Sequence, residues 1–121
     1  MDKLYETIKI LKAISDESRI RILAILKEKP DVCVCEIREI IGLSQPTVSS
    51  HLKILENAEL IYSVKDGKWV NYRLNDKLEI KIKELLDKIL LSLKDSSRIA
   101  SDKKKLEEVN RYKIIKVSKL L

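Results

Sequence analysis

Residues 33–57 read CVCEIREIIGLSQPTVSSHLKILEN, and no other stretch restricts the fold as tightly. Two helical periodicities meet there at Gly42-Leu43. Ile37, Ile40 and Ile41 share one face of the first, over 36–41. Val48, Leu52 and Leu55 lie at i, i+4 and i+7 in the second. Ser44 offers an N-cap oxygen, and Pro46 sits in the first turn, where its missing N–H is harmless. The outer face of the second helix carries Pro46, Thr47, Ser50, Lys53 and Asn57, all small, polar or basic. Such a pair joined by a glycine turn describes a helix-turn-helix, with an ordinary αα-corner as the competing reading.

The residues behind the pair favour the helix-turn-helix. LIYSVK (60–65) and WVNYRL (69–74) are rich in β-branched and aromatic residues and are separated by Asp66-Gly67-Lys68, a strong hairpin signal. A β-hairpin directly behind a helix-turn-helix is the winged arrangement. Lys65, Lys68 and Arg73 give it basic groups suited to phosphate or minor-groove contact, unless they only solvate the tip. The expected fold is α+β, mostly α with one β-hairpin: a winged helix-turn-helix domain over 1–94. Residues 95–121 form a basic extension, expected to be helical.

The flanks add helices. Leu4, Ile8 and Leu11 repeat at helical spacing over 2–14, with Asp2 at the favourable end of the dipole. Ser15-Asp16 ends that segment and can cap 17–28, where Ile20, Leu23, Ala24 and Leu26 should point inward while Arg19 and Arg21 face outward or flank the core. Pro30-Asp31 breaks the helix. A further helix is expected over 76–93, opened by Asp76 and striped by Leu78, Ile82, Leu85, Leu86, Ile89 and Leu93. The first and last of these helices are too apolar to cover one side of a small domain each. They are expected to pack against a second copy, the alternative being closure of the monomer's own core. In the tail, Leu106 and Val109 suit a helix, whereas Ile115 and Val117 alternate with Lys116 and Ser118 as in a strand; the helix is preferred.

Charge locates little by itself. The net +6 is concentrated in 94–121, which hold 9 basic and 4 acidic residues, against 16 and 15 in 1–93. DNA contact in the helix-turn-helix must therefore come from a local patch. No apolar run approaches the roughly 20 residues a membrane helix needs, and MDKLYETIKI lacks a signal-peptide pattern. The expected location is the cytoplasm, with no membrane partner. One histidine and no Ser/His/Asp set leave no catalytic machinery, so no enzyme is expected.

Cys33 and Cys35 are the candidate ion-binding residues. Two cysteines this close do not form a secreted disulfide framework. Thiolates are soft ligands that choose soft or borderline ions, and trivalent arsenic and antimony follow the same logic as zinc. A position at a helix N-terminus favours both thiols as thiolates. Residues i and i+2 point the same way in an extended chain but to nearly opposite sides of a helix. One ion holding both sulfurs is therefore expected to unwind the first helical turn. The alternative is that both are small buried apolar residues.

AISDESRIRIL (13–23), CVCEI (33–37), LSQPTVSSHLKILENAELI (43–61) and DGKWVNYRL (66–74) together resemble the ArsR/SmtB family of winged-helix regulators. The resemblance implies a homodimeric repressor that binds double-stranded operator DNA and is released when a metal or metalloid ion binds. It implies a dimer interface in 1–14 and 76–93, with Leu4, Ile8, Leu11, Ile82, Leu85, Leu86 and Ile89 as the candidates. No cofactor is needed for DNA binding. The inducer is expected to be As(III) or Sb(III), with Cd or Zn as rivals. Arg38 stands where arsenic-responsive members often carry a third cysteine, and 76–93 contain no histidine for the zinc site some members build there.

On the second helix, Gln45 can read adenine in two hydrogen bonds, while Ser44, Thr47, Ser49 and Ser50 can reach bases or phosphates. Lys53 should favour phosphate, and His51 packs or touches phosphate. Two copies would set these helices about 34–36 Å apart on an imperfect palindrome. Two rivals remain: the same fold sensing thiol oxidation, and a protein-binding or architectural module with inert cysteines.

Overall fold

The computed structural model describes residues 2–114. In chain order these form α1 (Lys3–Ile14), α2 (Glu17–Glu28), β1 (Val32–Cys33), α3 (Val34–Ile41), α4 (Gln45–Asn57), β2 (Ile61–Asp66), β3 (Trp69–Leu74), α5 (Ile80–Ser92) and α6 (Ser97–Glu108). The expected winged helix-turn-helix is present. Ile115 and Val117 lie outside the described residues.

The helix starts are set by side-chain caps. Asp2 accepts the Leu4 N–H at 2.9 Å, Asp16 that of Arg19 at 3.1 Å, and Ser96 that of Ile99 at 3.3 Å. Each satisfies an N–H that the helix itself leaves unpaired. α3 stops at Gly42, whose φ of 80° is a left-handed C-cap that an L side chain resists. The hairpin turns at Gly67-Lys68, since Asp66 pairs directly with Trp69. Gly67, at φ 59°, takes the position of that two-residue loop that demands positive φ.

α2 is the centre of the molecule. Residues Arg21 through Leu26 are all buried, not one stripe of them, because α1, α3, α4, α5, α6 and β3 surround the helix. Ile22 and Ile25 thus join the inward residues expected from the sequence. Arg21 is a correction: it neither faces outward nor flanks the core.

Two further corrections concern boundaries. The run Val32-Cys33 is a strand, pairing antiparallel with β3 to make a three-stranded sheet of order β1-β3-β2. The helix expected from 76 begins only at Ile80. Asn75 turns the chain instead: its side chain accepts the Lys77 N–H at 3.0 Å and donates to the Glu59 carbonyl at 2.9 Å. An Asx turn of this kind competes with helix. No helix among the described residues is long and apolar enough to cross a membrane.

Residues beyond 95 pack onto this core. Ile99 and Leu106 of α6 are buried in it. Between them Asp102, 1% exposed, accepts from Arg21 Nε at 2.8 Å and Nη2 at 2.9 Å. The fork satisfies both charges at once and explains how α2 carries a guanidinium inside the protein. Removing one member of such a pair strands the other in a dry environment. Asp102→Ala should therefore lower unfolding free energy by about 3–5 kcal/mol, read from urea denaturation. An apolar pair replacing both residues should cost far less.

Candidate nucleic-acid interface and thiol site

α4 carries the polar face. Val48, Leu52 and Leu55 are buried against the core, which leaves Gln45, Thr47, Ser49, Ser50 and Lys53 exposed together. Ser44 caps the helix by accepting the Thr47 N–H at 3.4 Å, and its hydroxyl lies 2.8 Å from that of Thr47. Small side chains at this end let the backbone approach a groove floor closely, and Gln45 at the first helical position is the longest reader. Lys65 and Lys68 are exposed on the hairpin.

Two residues expected to reach DNA are employed elsewhere. Arg73 forms a two-pronged ion pair with Asp31, Nη2 to Oδ2 being 2.7 Å. That pair holds the Asp31 carboxyl below the usual range and raises the guanidinium. It ties β3 to the loop before β1. His51 is half-buried between α4 and the start of α2, its Nδ1 accepting from Arg19 Nη1 at 3.2 Å. Arg19 also donates to the Ala13 carbonyl at 2.6 Å and the Lys12 carbonyl at 3.2 Å, so this cluster fixes α4 against the α1–α2 junction.

Of the residues expected in a dimer interface, Leu4, Ile8, Leu11 and Leu85 are exposed, with Leu4 at 69%. Ile82 and Ile89 are half-buried. Leu86 is a correction: at 6% exposure it belongs to the monomer's core. Ile80 and Leu91 of α5 are exposed apolar residues not singled out from the sequence. α1 and the chain running into α5 line one groove through Tyr5, Ile10, Leu78 and Ile82.

The cysteines sit where β1 becomes α3. Cys33 is the N-cap, with φ −85° and ψ 166°, and Cys35 lies in the first helical turn. Both are free, and their sulfurs are 2.7 Å apart. The expectation that a helical turn must hold them on opposite sides fails here, because the first of the pair keeps extended backbone. The two thiols face one another with the turn intact.

The ionisation of Cys33 departs from expectation as well. Burial pushes the Cys33 thiol up to about 12, helped by the neighbouring Cys35 sulfur and the Glu36 carboxylate. The helix dipole, expected to favour a thiolate, is outweighed, since a charge 2% exposed to solvent loses its hydration.

Other groups complete the surroundings. Glu36, 3% exposed, reaches back to accept the Cys33 N–H at 3.1 Å. The spacing of a capping box, three residues between cap and carboxylate, is the sequence signal that would have found it. Asn71 stands directly across the β1–β3 ladder from Cys33. Directly opposed residues project from the same face of a sheet. Its Oδ1 is buried without a hydrogen-bond partner among the described residues. Among those residues no group of three or more His, Cys, Asp and Glu side chains is gathered as a ligand set.

An exposed recognition helix behind a tight glycine turn, followed by a basic hairpin, defines a winged helix-turn-helix DNA-binding protein. The chain belongs to the family described as bacterial regulatory protein, arsR family, whose model matches residues 16–63. It is 35% identical over 80 residues to the arsenical resistance operon repressor of Escherichia coli K12, covering 66% of this chain and 68% of that one. It is 35% identical over 91 residues to a cadmium resistance transcriptional regulatory protein CadC homolog of Staphylococcus aureus, covering 75% and 73%. Among solved structures, HlyU from Vibrio cholerae matches with a TM-score of 0.63 at 28% identity, over 74% of this chain and 94% of that one. The protein is thus a DNA-binding transcription regulator of a family that holds regulators, not enzymes. Its relatives are named for arsenicals and for cadmium alike.

The unequal settings of the thiols should show in their chemistry. In the native protein at neutral pH, iodoacetamide should alkylate Cys35 first. Cys33, buried and with its thiol pushed well up by that burial, should label only once denaturant exposes it. Peptide mass spectrometry reads the order.

Proposed function

We propose that the protein is a homodimeric repressor that a thiophilic ion, bound by Cys33 and Cys35, releases from its operator. Arsenite and antimonite are the first candidates, with cadmium and zinc as alternatives. The observation that carries this reading is the pair of free thiols facing each other at the N-terminus of α3, the first helix of the helix-turn-helix.

An ion bound by both sulfurs at about 2.3 Å fixes their separation at roughly 3.5–3.8 Å and their direction toward one point, a constraint that two free thiols do not have. Cys33 caps α3 and is anchored in β1, so the adjustment falls on the first turn of that helix. Ile37, Ile40 and Ile41 of α3 share a core cluster with Val48 and Leu52 of α4. A close-packed core passes such a displacement on and does not absorb it. α4 then leaves the position it needs in the groove. No unwinding is required.

The chemistry balances with the groups present. Arsenous acid exchanges two hydroxyls for two thiols, giving a bis-thiolate arsenic that keeps one hydroxyl and releases two waters. The buried, unpartnered Asn71 Oδ1 suits that hydroxyl as an acceptor, and for a divalent cation it offers an oxygen donor. Dimerisation is supported by the adjoining apolar faces of α1 and α5, where Leu4, Ile8, Leu11 and Leu85 are exposed. A second copy would bury them and place a second α4 one helical turn along the DNA.

The test is a binding titration on DNA from upstream of the protein's own gene, under reducing conditions. Arsenite, antimonite, cadmium and zinc are added in turn to wild type and to the Cys33→Ser/Cys35→Ser variant. One ion should release wild type and leave the variant bound. Release of both equally would sink the assignment, and release by oxidant alone would move it to thiol oxidation.

The pH dependence separates ion classes. Cys33 is protonated below about 12, so a divalent cation must displace its proton. Cadmium affinity should rise at least about tenfold per pH unit from pH 6 to 8, whereas arsenite exchange, which releases water and no proton, should stay flat. On the DNA side, Gln45→Ala should cost about 1–3 kcal/mol and relax base preference at one position. Lys65→Ala should weaken all sequences alike and reduce the salt slope by about 1.

A further inference from the structure

The segment after α6 returns to the cysteines. Arg111 Nη2 donates to Glu36 Oε1 at 2.7 Å and to the Asp31 carbonyl at 2.8 Å. That same Glu36 oxygen accepts the Cys33 N–H. The Arg111 guanidinium carbon also lies 4.9 Å from the ring centroid of Trp69, the first residue of β3. Tyr112 meets that ring edge-on, with centroids 5.8 Å apart and planes at 85°. Lys68 approaches the same ring at 5.2 Å. The Arg111 side chain is 14% exposed and Glu36 5%, so their ion pair is shielded from water.

Arg111 therefore touches both ends of the short Asp31–Glu36 stretch and, across the fold, the wing. It meets the cap of α3 through Glu36, the loop before β1 through Asp31, and the wing through Trp69. Asp31 itself is held with φ at 64°, an uncommon conformation for a residue other than glycine. An open cleft lined by Pro30, Asp31, Glu36, Val109 and Arg111 separates the returning segment from the loop. Among the described residues, Arg111 and Tyr112 are the side chains of this segment that meet the loop, α3 and the wing.

We propose that Arg111 is the positioning residue that couples the Cys33–Cys35 site to the wing. This deepens the sensor reading and rests on it. A ligand held by both sulfurs displaces the first turn of α3, and with it the Glu36 oxygen that Cys33 and Arg111 share. Arg111 shifts on Trp69, and the adjoining turn with Lys68 changes its reach toward DNA. The wing then leaves the DNA together with α4, by a separate route. The tail is an arm of the sensor and not only a charged extension.

Trp69 is the chain's single tryptophan, so its emission reports this contact without labelling. The experiment uses the full chain as wild type, Arg111→Gln, Arg111→Lys and Cys33→Ser/Cys35→Ser. Each is titrated with arsenite and with cadmium, and separately with N-ethylmaleimide, which adds bulk at the thiols whether or not either ion is the natural inducer. Trp69 emission, bound ion per chain and operator affinity are measured together.

Wild type should show a change in Trp69 emission on ligand binding, absent in the double serine variant. Arg111→Gln should still bind the ion and hold operator within about threefold of wild type. Its ligand-dependent loss of operator affinity should be at least about tenfold smaller, and its Trp69 emission should no longer respond. Arg111→Lys, which keeps the charge but loses the planar stack, should restore part of both. A merely structural Arg111 would lower stability without moving the ratio of bound to released affinities.

Full ligand-driven release and emission change in Arg111→Gln would overturn the coupling, as would a wild type whose Trp69 answers neither ion nor N-ethylmaleimide. A wild type that answers N-ethylmaleimide but neither ion, with Arg111→Gln silent, would refute those ions as inducers and leave the coupling standing.

Discussion

A guanidinium inside the central helix is the constraint on which much of the arrangement depends. Arg21 lies on a helix covered on every side, and a lone charge there would be prohibitively unstable. Its partner, Asp102, is 81 residues away in sequence. The chain after the wing must therefore come back, cross α2 and present a carboxylate at one position. Once α6 is fixed in that way, the residues after it emerge beside α3. Arg111 then reaches Glu36, and Tyr112 reaches Trp69. The ion pair, together with buried Ile99 and Leu106, thus sets the course that brings the tail to the cysteines.

The same balance between burial and compensation governs the thiols. A helix N-terminus stabilises negative charge by a fraction of a kcal/mol to about 2 kcal/mol. Burial of an ion without solvent costs several times that. At Cys33 the second effect wins, so its resting sulfur is a thiol and not a waiting thiolate. Such a site is quiet in a reducing environment. It acquires charge density only when a ligand brings its own positive centre, which favours ions that bind sulfur strongly.

Much of this is legible in the sequence, because it rests on local rules. Ser44, Pro46 and Gly42 mark the recognition helix and its turn through backbone chemistry confined to a few residues. Asp66-Gly67-Lys68 marks the hairpin for the same reason. The cysteines are visible as a pair, and Leu4, Ile8, Leu11 and Leu85 as apolar residues in excess of what one copy needs. Less legible are features that depend on what faces a residue across the fold. Arg73 and Lys65 look alike in a strand, yet only Arg73 meets Asp31. His51 reads from the sequence as packing or touching phosphate, and only the fold decides for packing by setting Arg19 beside it. Leu86 and Leu85 are neighbours on one stripe, and only packing decides that the first closes the core while the second stays open.

The sequence by itself determined the class of fold, the position of the recognition helix and the identity of the two thiols, since periodicity, caps and turn residues act within a dozen residues of one another. The tertiary structure decided the geometry and charge of the thiol pair, because extended backbone at Cys33 and burial of its sulfur come from pairing with β3 and not from neighbours in the chain. It alone decided that Arg111 stands against Glu36, 75 residues earlier. No periodicity or motif records a contact that arises only when distant helices pack against one another.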